Sequence, residues 1–410
     1  MRIIYVTSSL PYGKVEAFII PEIEELKTRG HEVLIVPMYP RGALLHGDAK
    51  PFLAHTETEP LLSLNIANVA AKKVNRVPTE ALRVLGWLFR SRSAKILFKN
   101  LVVYPKGLWL ANVAKEWKAD HIHAHWAATT ATMALVASEV SGVPWSVTAH
   151  RWDIAENNLL SLKAKRACFV RAISQRGAKK LVSYLNTGVP SPSVLHMGVR
   201  IPPTMRKERL QEDGYPFRIV VAANLLEVKG HTYLLDATKL LKDRNISVHV
   251  DVAGEGPLRD DLARKARELG LNEQVAFLGA VPHEELLERM ERGAWDMLVL
   301  PSIVVTSDEQ EGIPVALIEA MSRRVPVVST TTGGITELLR GIPGSLVPPK
   351  NPSALAEAIE RLIKEPELRN RLVETGCKRV VDSFAVEQVV SELVQRFEGC
   401  GVQDSWMSRC

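Results

Sequence analysis

The sequence is poor in cysteine. Its 410 residues hold four, Cys168, Cys377, Cys400 and Cys410. No two form a CxxC pair, which excludes a zinc ribbon or a thioredoxin-type dithiol. Four thiols in a chain of this length make no disulfide framework, so a reduced, cytoplasmic protein is expected. No run of eighteen apolar residues occurs, which excludes a bilayer-spanning helix of ordinary length. The opening MRIIYVTSS lacks the long apolar core and cleavage site of a signal peptide. There is no low-complexity tract and no repeat linking the two halves. No GxGxxG follows the first strand, and no DxD stands at a strand end in a setting that would hold a divalent cation. What remains is ordinary globular composition, 46% hydrophobic and 24% charged, in a length that suits two or three domains.

Alternation of strand and helix patterns sets the fold class. Arg2–Val6 reads as a buried strand. A helix with Phe18, Ile19, Ile23 and Leu26 on one face follows and stops at Arg29-Gly30, a basic last turn and a glycine cap. His31–Pro37 is the next apolar strand, so the unit is βαβ with a parallel sheet. Residues 41–118 are less regular and helical in flavour. Strands resume at His121–Ala124, Trp145–Thr148, Ala167–Ala172 and Val194–His196. After the polar, proline-bearing 201–216 a second series gives Phe217–Ala222, Ser247–Ala253, Gln274–Leu278, Met297–Leu300, Pro326–Ser329 and Ser345–Val347. Helices such as Tyr233–Lys242 and Pro257–Leu269 separate them. The chain therefore reads as α/β, two doubly wound parallel-sheet domains, 1–200 and 217–380, joined by a linker. A last helix, Asp382–Glu398, is expected to pack back on the first domain. Ligands of such sheets bind outside the carboxyl ends of the strands, and two facing domains would bind them in the cleft between.

Candidate site residues follow from that rule. In EGIPVALIEA (311–320), Pro314 begins a helix whose first N–H groups, on Val315, Ala316 and Leu317, suit a phosphate. Glu311, with Gly312 and Ile313 after it, lies in the loop before, and Glu319 further along the helix could reach a polyol. Lys229-Gly230 after the Phe217–Ala222 strand offers a point charge for a diphosphate. Gly254 opens the turn after the next strand. His150 follows Trp145–Thr148 directly, where it could donate to a hydroxyl or to developing charge. His123 and His125 share one face of their strand, a spacing that could suit a metal pair, but no third ligand is apparent. Of the two, His125 is placed on the acceptor side and His123 is read as structural. Gly13 and Glu16 occupy the first strand-to-helix loop. Taken singly, each is also compatible with a turn, a solvated helix face or a structural histidine.

The ordered set is more specific. Glu-x7-Glu followed by PVVSTTTGGITEL (326–338) resembles glycosyltransferase family 4, retaining nucleotide-sugar enzymes of the GT-B fold. KVEAFIIPEIEELKTRGHEV (14–33) resembles the exopolysaccharide and colanic-acid-type branch. HIHAHWA, SVTAHRWDI, VLHMGV, NLLEVKGHTYLLDA, VAGEGPL, VAFLGAVPHEEL and LVLPS agree with it in order and spacing, over nearly the whole chain except about 40–118. The resemblance implies two Rossmann-like domains, the first on the acceptor side and the second binding the donor. It implies metal-independent, retaining transfer of a hexosyl unit from a nucleotide diphosphate sugar, without a cofactor. It implies Glu311, Lys229 and His150 in the chemistry. Asn224, Gly254, Glu319 and the Gly312–Leu317 segment would bind the donor, with Gly13, Glu16 and His125 nearby. Asn224 departs from the pattern, since an arginine usually precedes the lysine by five. A nucleotide-sugar 2-epimerase and a non-catalytic nucleotide-sugar or glycan-binding protein are the alternatives.

Charge supplies a last feature. Between Asn68 and Lys118 eleven basic residues face two acids, an excess of nine where the whole chain carries six. Around Leu82–Phe98 apolar residues interleave with Arg83, Arg90, Arg92 and Lys95, as in a basic amphipathic helix lying on an anionic membrane. A solvated basic face over an ordinary core fits the charge equally well; the resemblance to polysaccharide-assembling enzymes, whose acceptors are often lipid-linked, implies peripheral binding at the inner membrane face. No RNA- or DNA-binding motif accompanies the basic stretch.

Overall fold

The computed structural model describes residues 1–13, 16–42, 47–202, 215–306 and 311–402. The chain divides into two compact units. One is Met1–Gly198 with the chain from Val386 onward; the other is Val199–Ala385. Most of the expected linker, 203–214, lies outside the described residues.

The first unit is built on six parallel strands in the order β2-β1-β3-β4-β5-β6. These are β1 (Arg2–Thr7), β2 (Glu32–Pro37), β3 (His121–His125), β4 (Trp145–Ala149), β5 (Val170–Ala172) and β6 (Ser193–Val194). Its helices are α1 (Ile20–Thr28), α2 (Leu64–Arg76), α3 (Pro78–Leu88), α4 (Ala94–Glu116), α5 (Thr129–Ser141), α6 (Arg151–Glu156), α7 (Leu160–Arg166) and α8 (Gln175–Val182). Strands β1, β3 and β4 are buried on both faces, which is why they read as unbroken runs. α1 closes as the sequence indicates: Gly30 N–H donates to Lys27 and His31 N–H to Leu26.

The second unit has the order β12-β11-β10-β7-β8-β9. Its strands are β7 (Phe217–Ala222), β8 (Val248–Ala253), β9 (Val275–Gly279), β10 (Met297–Leu300), β11 (Val327–Thr330) and β12 (Leu346–Val347). The helices are α9 (His231–Asp243), α10 (Arg259–Glu268), α11 (His283–Glu291), α12 (Val315–Ser322), α13 (Ile335–Leu339), α14 (Pro352–Lys364) and α15 (Pro366–Phe384). A single apolar core runs through the sheet and its helices, from Phe217 and Ile219 to Leu372 and Phe384.

The tail is two helices where one was expected. α15 ends at Phe384, and α16 (Val386–Val402) begins after the extended residue Ala385. α16 belongs to the first unit. Its Val386, Val389, Val390, Leu393 and Phe397 are buried with Ile19, Ile20, Ile23 and Leu26 beside α1. Full burial of each such side chain contributes roughly 1.5–3 kcal/mol, so the helix is held by its apolar stripe rather than by the two bonds from Arg29 to Ser391 and Glu387.

The basic stretch also differs from its reading. Leu82–Phe98 is not one helix: α3 ends at Leu88, and Ser93 caps α4 by accepting from Ile96 N–H. Lys106 is fully buried, its ammonium donating to the carbonyls of Pro37, Met38 and Glu59. Burial lowers its pKa to about 8. Lys73 is only 9% exposed. Lys72, Arg76, Arg90, Arg92 and Lys95 do face solvent.

Candidate functional site

Each sheet changes direction once. In the second unit the chain runs outward from β7 through β8 to β9, then returns to lay β10 against the other side of β7. The loops after β7 and β10 thus flank a topological switch point, where open α/β sheets bind ligands. They are joined there: Ile303 N–H donates to Val228 O at 2.9 Å. Lys229 ends the short turn after β7, and Glu311 lies in the loop before α12. Their side chains form an ion pair, Nζ to Oε2, at 2.7 Å with 19% and 14% of each side chain exposed. Ser302 Oγ lies 3.4 Å from the same oxygen. Oε1 of Glu311 has no partner among the described residues.

Backbone geometry fixes that carboxylate. Gly333 has φ +49, and a Cβ on it would stand 1.9 Å from Glu311 O. Gly334 N–H donates to the same carbonyl at 3.1 Å. The turn after β11 therefore clasps the Glu311 loop, which is why two glycines are needed there. The next loop is built alike. Gly254, at φ +156, would put a Cβ 1.9 Å from Ala223 O, and its N–H donates to Gly279 O at 2.8 Å. The loops after β7, β8 and β9 are stitched side by side. Asn224 is exposed between them, and its side chain makes no bond among the described residues.

The helix N-terminus offers less than expected. α12 begins at Val315, after Pro314, as read. Leu317 N–H, however, donates to Pro314 O at 3.1 Å, and Leu317 is fully buried. A tight first turn has consumed that donor, leaving the N–H groups of Val315 and Ala316 without a partner among the described residues. Gly312 and Ile313, before them, are half-buried. Glu319 is not a solvated helix residue. It is 7% exposed and bonded to His283 Nε2, on α11, at 2.6 Å. His283 lies in VPHEEL, but no spacing in the sequence ties it to a glutamate thirty-six residues away.

In the first unit the switch point lies between β1 and β3. A cavity of about 580 Å³ opens there, lined among others by Ser8, Ser9, Glu16, Trp126, Thr130 and Trp152. Glu16 is 1% exposed. It accepts from the N–H groups of Ser8, Ser9 and Leu10, from Ser9 Oγ and from Trp126 Nε1, at 2.6–3.2 Å. These bonds fill its lone pairs, so Glu16 shapes the loop and leaves little of itself for a ligand. Gly13 sits in the same loop at φ +81. Trp126 holds φ +83, an unfavourable conformation for a bulky residue; such backbone strain costs roughly 1–3 kcal/mol. The bond to Glu16 and one from Trp126 N–H to Thr148 O hold it.

Below the cavity is a histidine cluster. His150 follows β4, as expected, and its Nε2 lies 2.7 Å from His125 Nε2. One ring must donate and the other accept, so the accepting ring is neutral. Burial, with Arg171 adding to it, lowers the His150 pKa to about 3. Burial first, then His150, His123 and Arg171, holds His125 well below its ordinary value. His125 is fully buried and its Nδ1 has no partner; it supports His150 instead of lining an open surface. Asp153 closes the arrangement by accepting from Ala127, His150 and Ile154 N–H groups. Burial raises its pKa to about 7 against those donors. Lys163 Nζ donates to Ala127 O and Ala128 O, and burial lowers its pKa to about 7.

The histidine pair does meet a third group. Glu22 of α1 lies with His123 and His125 so that one donor atom of each falls within 4.8 Å of the others. The set fits a cation poorly. Glu22 pairs with the fully buried Arg171 at 2.6 Å and accepts from Tyr5 OH. Both ring nitrogens of His123 are bonded, to Ser146 Oγ and Thr148 Oγ1.

Two doubly wound parallel sheets with polar groups gathered at each switch point define a two-domain α/β protein of the GT-B type. Residues 204–379 match the family described as "Glycosyl transferases group 1". The chain is 27% identical over 403 residues to a Salmonella typhimurium protein named for colanic acid biosynthesis, covering 93% of this chain and 96% of that one. It is 25% identical over 382 residues to an amylovoran biosynthesis glycosyltransferase of Erwinia amylovora, covering 88% and 90%. A protein of Bacillus subtilis named for teichuronic acid biosynthesis is 31% identical over 280 residues, 62% of this chain and 65% of that one. A solved glycosyltransferase from Rickettsia africae superposes with a TM-score of 0.71 at 17% identity, covering 97% and 98%. An Anabaena protein solved with UDP gives 0.70 at 17%, covering 97% and 100%. The family match and these relatives support a GT-B glycosyltransferase of the exopolysaccharide branch; neither the epimerase nor the non-catalytic alternative is favoured by them.

Proposed function

We propose that this protein transfers a hexosyl unit from a nucleotide diphosphate sugar to an acceptor hydroxyl, with retention, in the assembly of a polysaccharide or glycolipid. The observation that carries the reading is the Lys229–Glu311 pair at the β7/β10 switch point. Lys229 would neutralise the diphosphate as it leaves, helped by the free N–H groups of Val315 and Ala316. Asn224 adds a neutral hydrogen-bonding group and no charge. Glu311, held by the glycine turn, would accept from sugar hydroxyls and so position the anomeric carbon. Glu319, oriented by His283, would accept from the ribose. His150 would meet the sugar as a neutral ring, since burial keeps it from charging near pH 7.

The acceptor is assigned to the first unit's cavity, where Trp126 and Trp152 offer flat apolar faces and Glu16 keeps the loop in shape. In the reaction the acceptor oxygen bonds to the anomeric carbon as its bond to the phosphate oxygen breaks. The acceptor proton passes to that departing oxygen on the same face of the sugar. Lysine and helix amides supply the charge stabilisation this step needs, so no divalent cation or cofactor is required in the proposal. The names of the relatives, for colanic acid, amylovoran and teichuronic acid, and the UDP bound in the Anabaena protein support a UDP-sugar donor and a glycan or lipid-linked acceptor. A thermal-shift screen of nucleotide sugars, followed by transfer assays with the hits, tests the reading. Stabilisation by a nucleotide sugar and transfer that survives EDTA, giving product of unchanged anomeric configuration, are expected. Loss of activity on chelation with recovery in magnesium would overturn the metal-free step, and an inverted product would overturn retention.

Binding to an anionic membrane surface belongs to the same proposal, with the protein on the inner face of the membrane. No helix among the described residues is long and apolar enough to cross one. Leu62, Leu64, Leu82, Phe89 and Phe98 are 59–84% exposed, in the same stretch as the exposed Lys72, Arg76, Arg90, Arg92 and Lys95. Each cation near such a surface contributes roughly 1 kcal/mol. Sedimentation with anionic vesicles should fall with salt and with Lys72, Arg90 and Arg92 changed to Glu. Lys73 is unsuitable for that test, because it is buried. Binding indifferent to both would remove this role.

A further inference from the structure

Two cysteines far apart in sequence meet in the first unit. Cys168 immediately precedes Phe169 and β5, and its N–H donates to Trp145 O. Cys400 lies in the last turns of α16, three residues after Phe397 and therefore on the same helix face. Phe169 and Phe397 pack with ring centroids 5.8 Å apart, which brings the following turn of α16 over Cys168. Both thiols are free, they line one groove, and that of Cys400 donates to Arg396 O at 3.1 Å. Cys377, on α15 of the second unit, is the other described thiol.

The pair is also reachable. Cys168 and Cys400 line a groove of about 1410 Å³ that runs past Arg83, Arg90, Lys165 and Arg166. A small oxidant can enter such a space, although Cys400 itself is 7% exposed. To bond, the two sulfurs must close to the roughly 2.03–2.05 Å of a disulfide, which the Cys400 thiol can do by turning away from Arg396 O. The groove lies beside β4 and β5 where they begin, at Pro144, Trp145 and Cys168. The switch-point cavity instead lies where the strands end, and the two share no lining residue.

We propose that Cys168 and Cys400 form a reversible disulfide that staples α16 to β5 when the protein meets a peroxide. Cys168, the less buried thiol, attacks the peroxide O–O bond as its thiolate; the bond breaks, and Cys168 becomes a sulfenic acid while water leaves. The Cys400 sulfur then attacks the sulfenic sulfur, forming the S–S bond and releasing a second water. The two thiols give up two electrons and two protons, and the peroxide is reduced to two waters. The neighbouring Cys168 first, and burial after it, push the Cys400 thiol up, so it serves as the resolving rather than the attacking group. The consequence follows from what α16 is: the segment by which the chain returns to the first unit, held by one apolar stripe. A covalent tie at its far end keeps it docked.

The test uses the full chain, reduced, then treated with hydrogen peroxide and alkylated. The expected product has lost two hydrogens, and non-reducing peptide mapping joins the peptides of Cys168 and Cys400 while Cys377 is alkylated. Dithiothreitol reverses it. Hydrogen exchange of α16 amides should slow at least several-fold in the oxidised form. Cys377→Ser should behave as the wild type, and Cys168→Ser and Cys400→Ser should each fail to form the product. Peptide mapping of the wild type stands even if a variant folds poorly. Full alkylation of both thiols after peroxide, or a link from either to Cys377 or Cys410, would overturn the proposal. So would a Cys168–Cys400 link that leaves α16 exchange unchanged, since the staple would then hold nothing.

Discussion

Acid should loosen the first unit before the second, because of where the histidines are. His121, His123 and His125 on β3 are fully buried, and His150 after β4 is 7% exposed. Burial lowers His121 and His150 to about 3 and holds His123 and His125 well below the ordinary value. In the unfolded chain all four titrate near 6.5. Below that pH the unfolded state binds protons that the folded state refuses, so stability is present above about 6.5 and is lost as pH falls toward 3. Each histidine costs up to about 1.4 kcal/mol per pH unit in that window, roughly 7 kcal/mol for four between pH 6.5 and 5. Asp153 works the other way. Its folded pKa is raised to about 7, so the folded state takes up its proton on acidification and recovers roughly 2 kcal/mol over the same interval. The net loss is about 5 kcal/mol, comparable with the whole stability of many domains. In the second unit His231 is in this position, lowered to about 4 mainly by burial, and should lose about 2 kcal/mol. Urea unfolding at pH 7.5, 6 and 5 measures this. Tryptophan fluorescence follows mainly the first unit, which holds Trp87, Trp109, Trp117, Trp126, Trp145 and Trp152 against Trp295 in the second. A slope corresponding to about three protons taken up on unfolding is expected near pH 5.5. Uptake of one proton or none would refute the buried, neutral cluster.

Three further outcomes follow from the second unit. Glu319→Ala should weaken nucleotide binding, and His283→Ala should do so to a smaller degree, measured by titration calorimetry; unchanged affinity in both would remove the ribose assignment. Glu311→Ala should lose most transfer while donor binding falls less, a kcat loss with little change in donor affinity. Gly333→Ala forces a Cβ against Glu311 O and should reproduce that kcat loss without removing any functional group; wild-type kcat in Gly333→Ala would mean that the glycine turn does not hold the carboxylate.

Much of the fold was legible because parallel strands buried on both faces leave unbroken apolar runs. Phe217–Ala222 and Met297–Leu300 coincide with β7 and β10. β5 was read too long, since Ala167–Phe169 is apolar for packing reasons that precede the ladder. The Leu82–Phe98 helix was misread because its break, Phe89–Ser93, contains neither glycine nor proline; Ser93 as a cap was the available signal. In the site, Lys229, Glu311, His150 and Gly254 stand at strand ends, where periodicity and the switch-point rule put them. What stayed hidden depends on long-range burial. Lys106 and Lys73 carry the same charge as their exposed neighbours, and only tertiary packing buries them. The Glu22–Arg171 pair, the five bonds on Glu16 and the His283–Glu319 contact each join residues that no local pattern links. The Leu317 donor was lost to a turn that the sequence does not distinguish from a regular first turn.

The donor-site assignment stands or falls on Lys229, whose ammonium is 2.7 Å from Glu311. Replacing it by alanine removes the only side-chain cation assigned to the diphosphate and leaves a carboxylate facing it. The measurement is the rate of nucleoside diphosphate release from a saturating nucleotide sugar in the presence of acceptor, for the wild type and for Lys229→Ala. A fall on the order of 10²–10³, about 3–4 kcal/mol of transition-state stabilisation, is expected. Release at the wild-type rate by the folded variant would contradict the assignment of the β7/β10 switch point as the place where the donor's leaving group is stabilised.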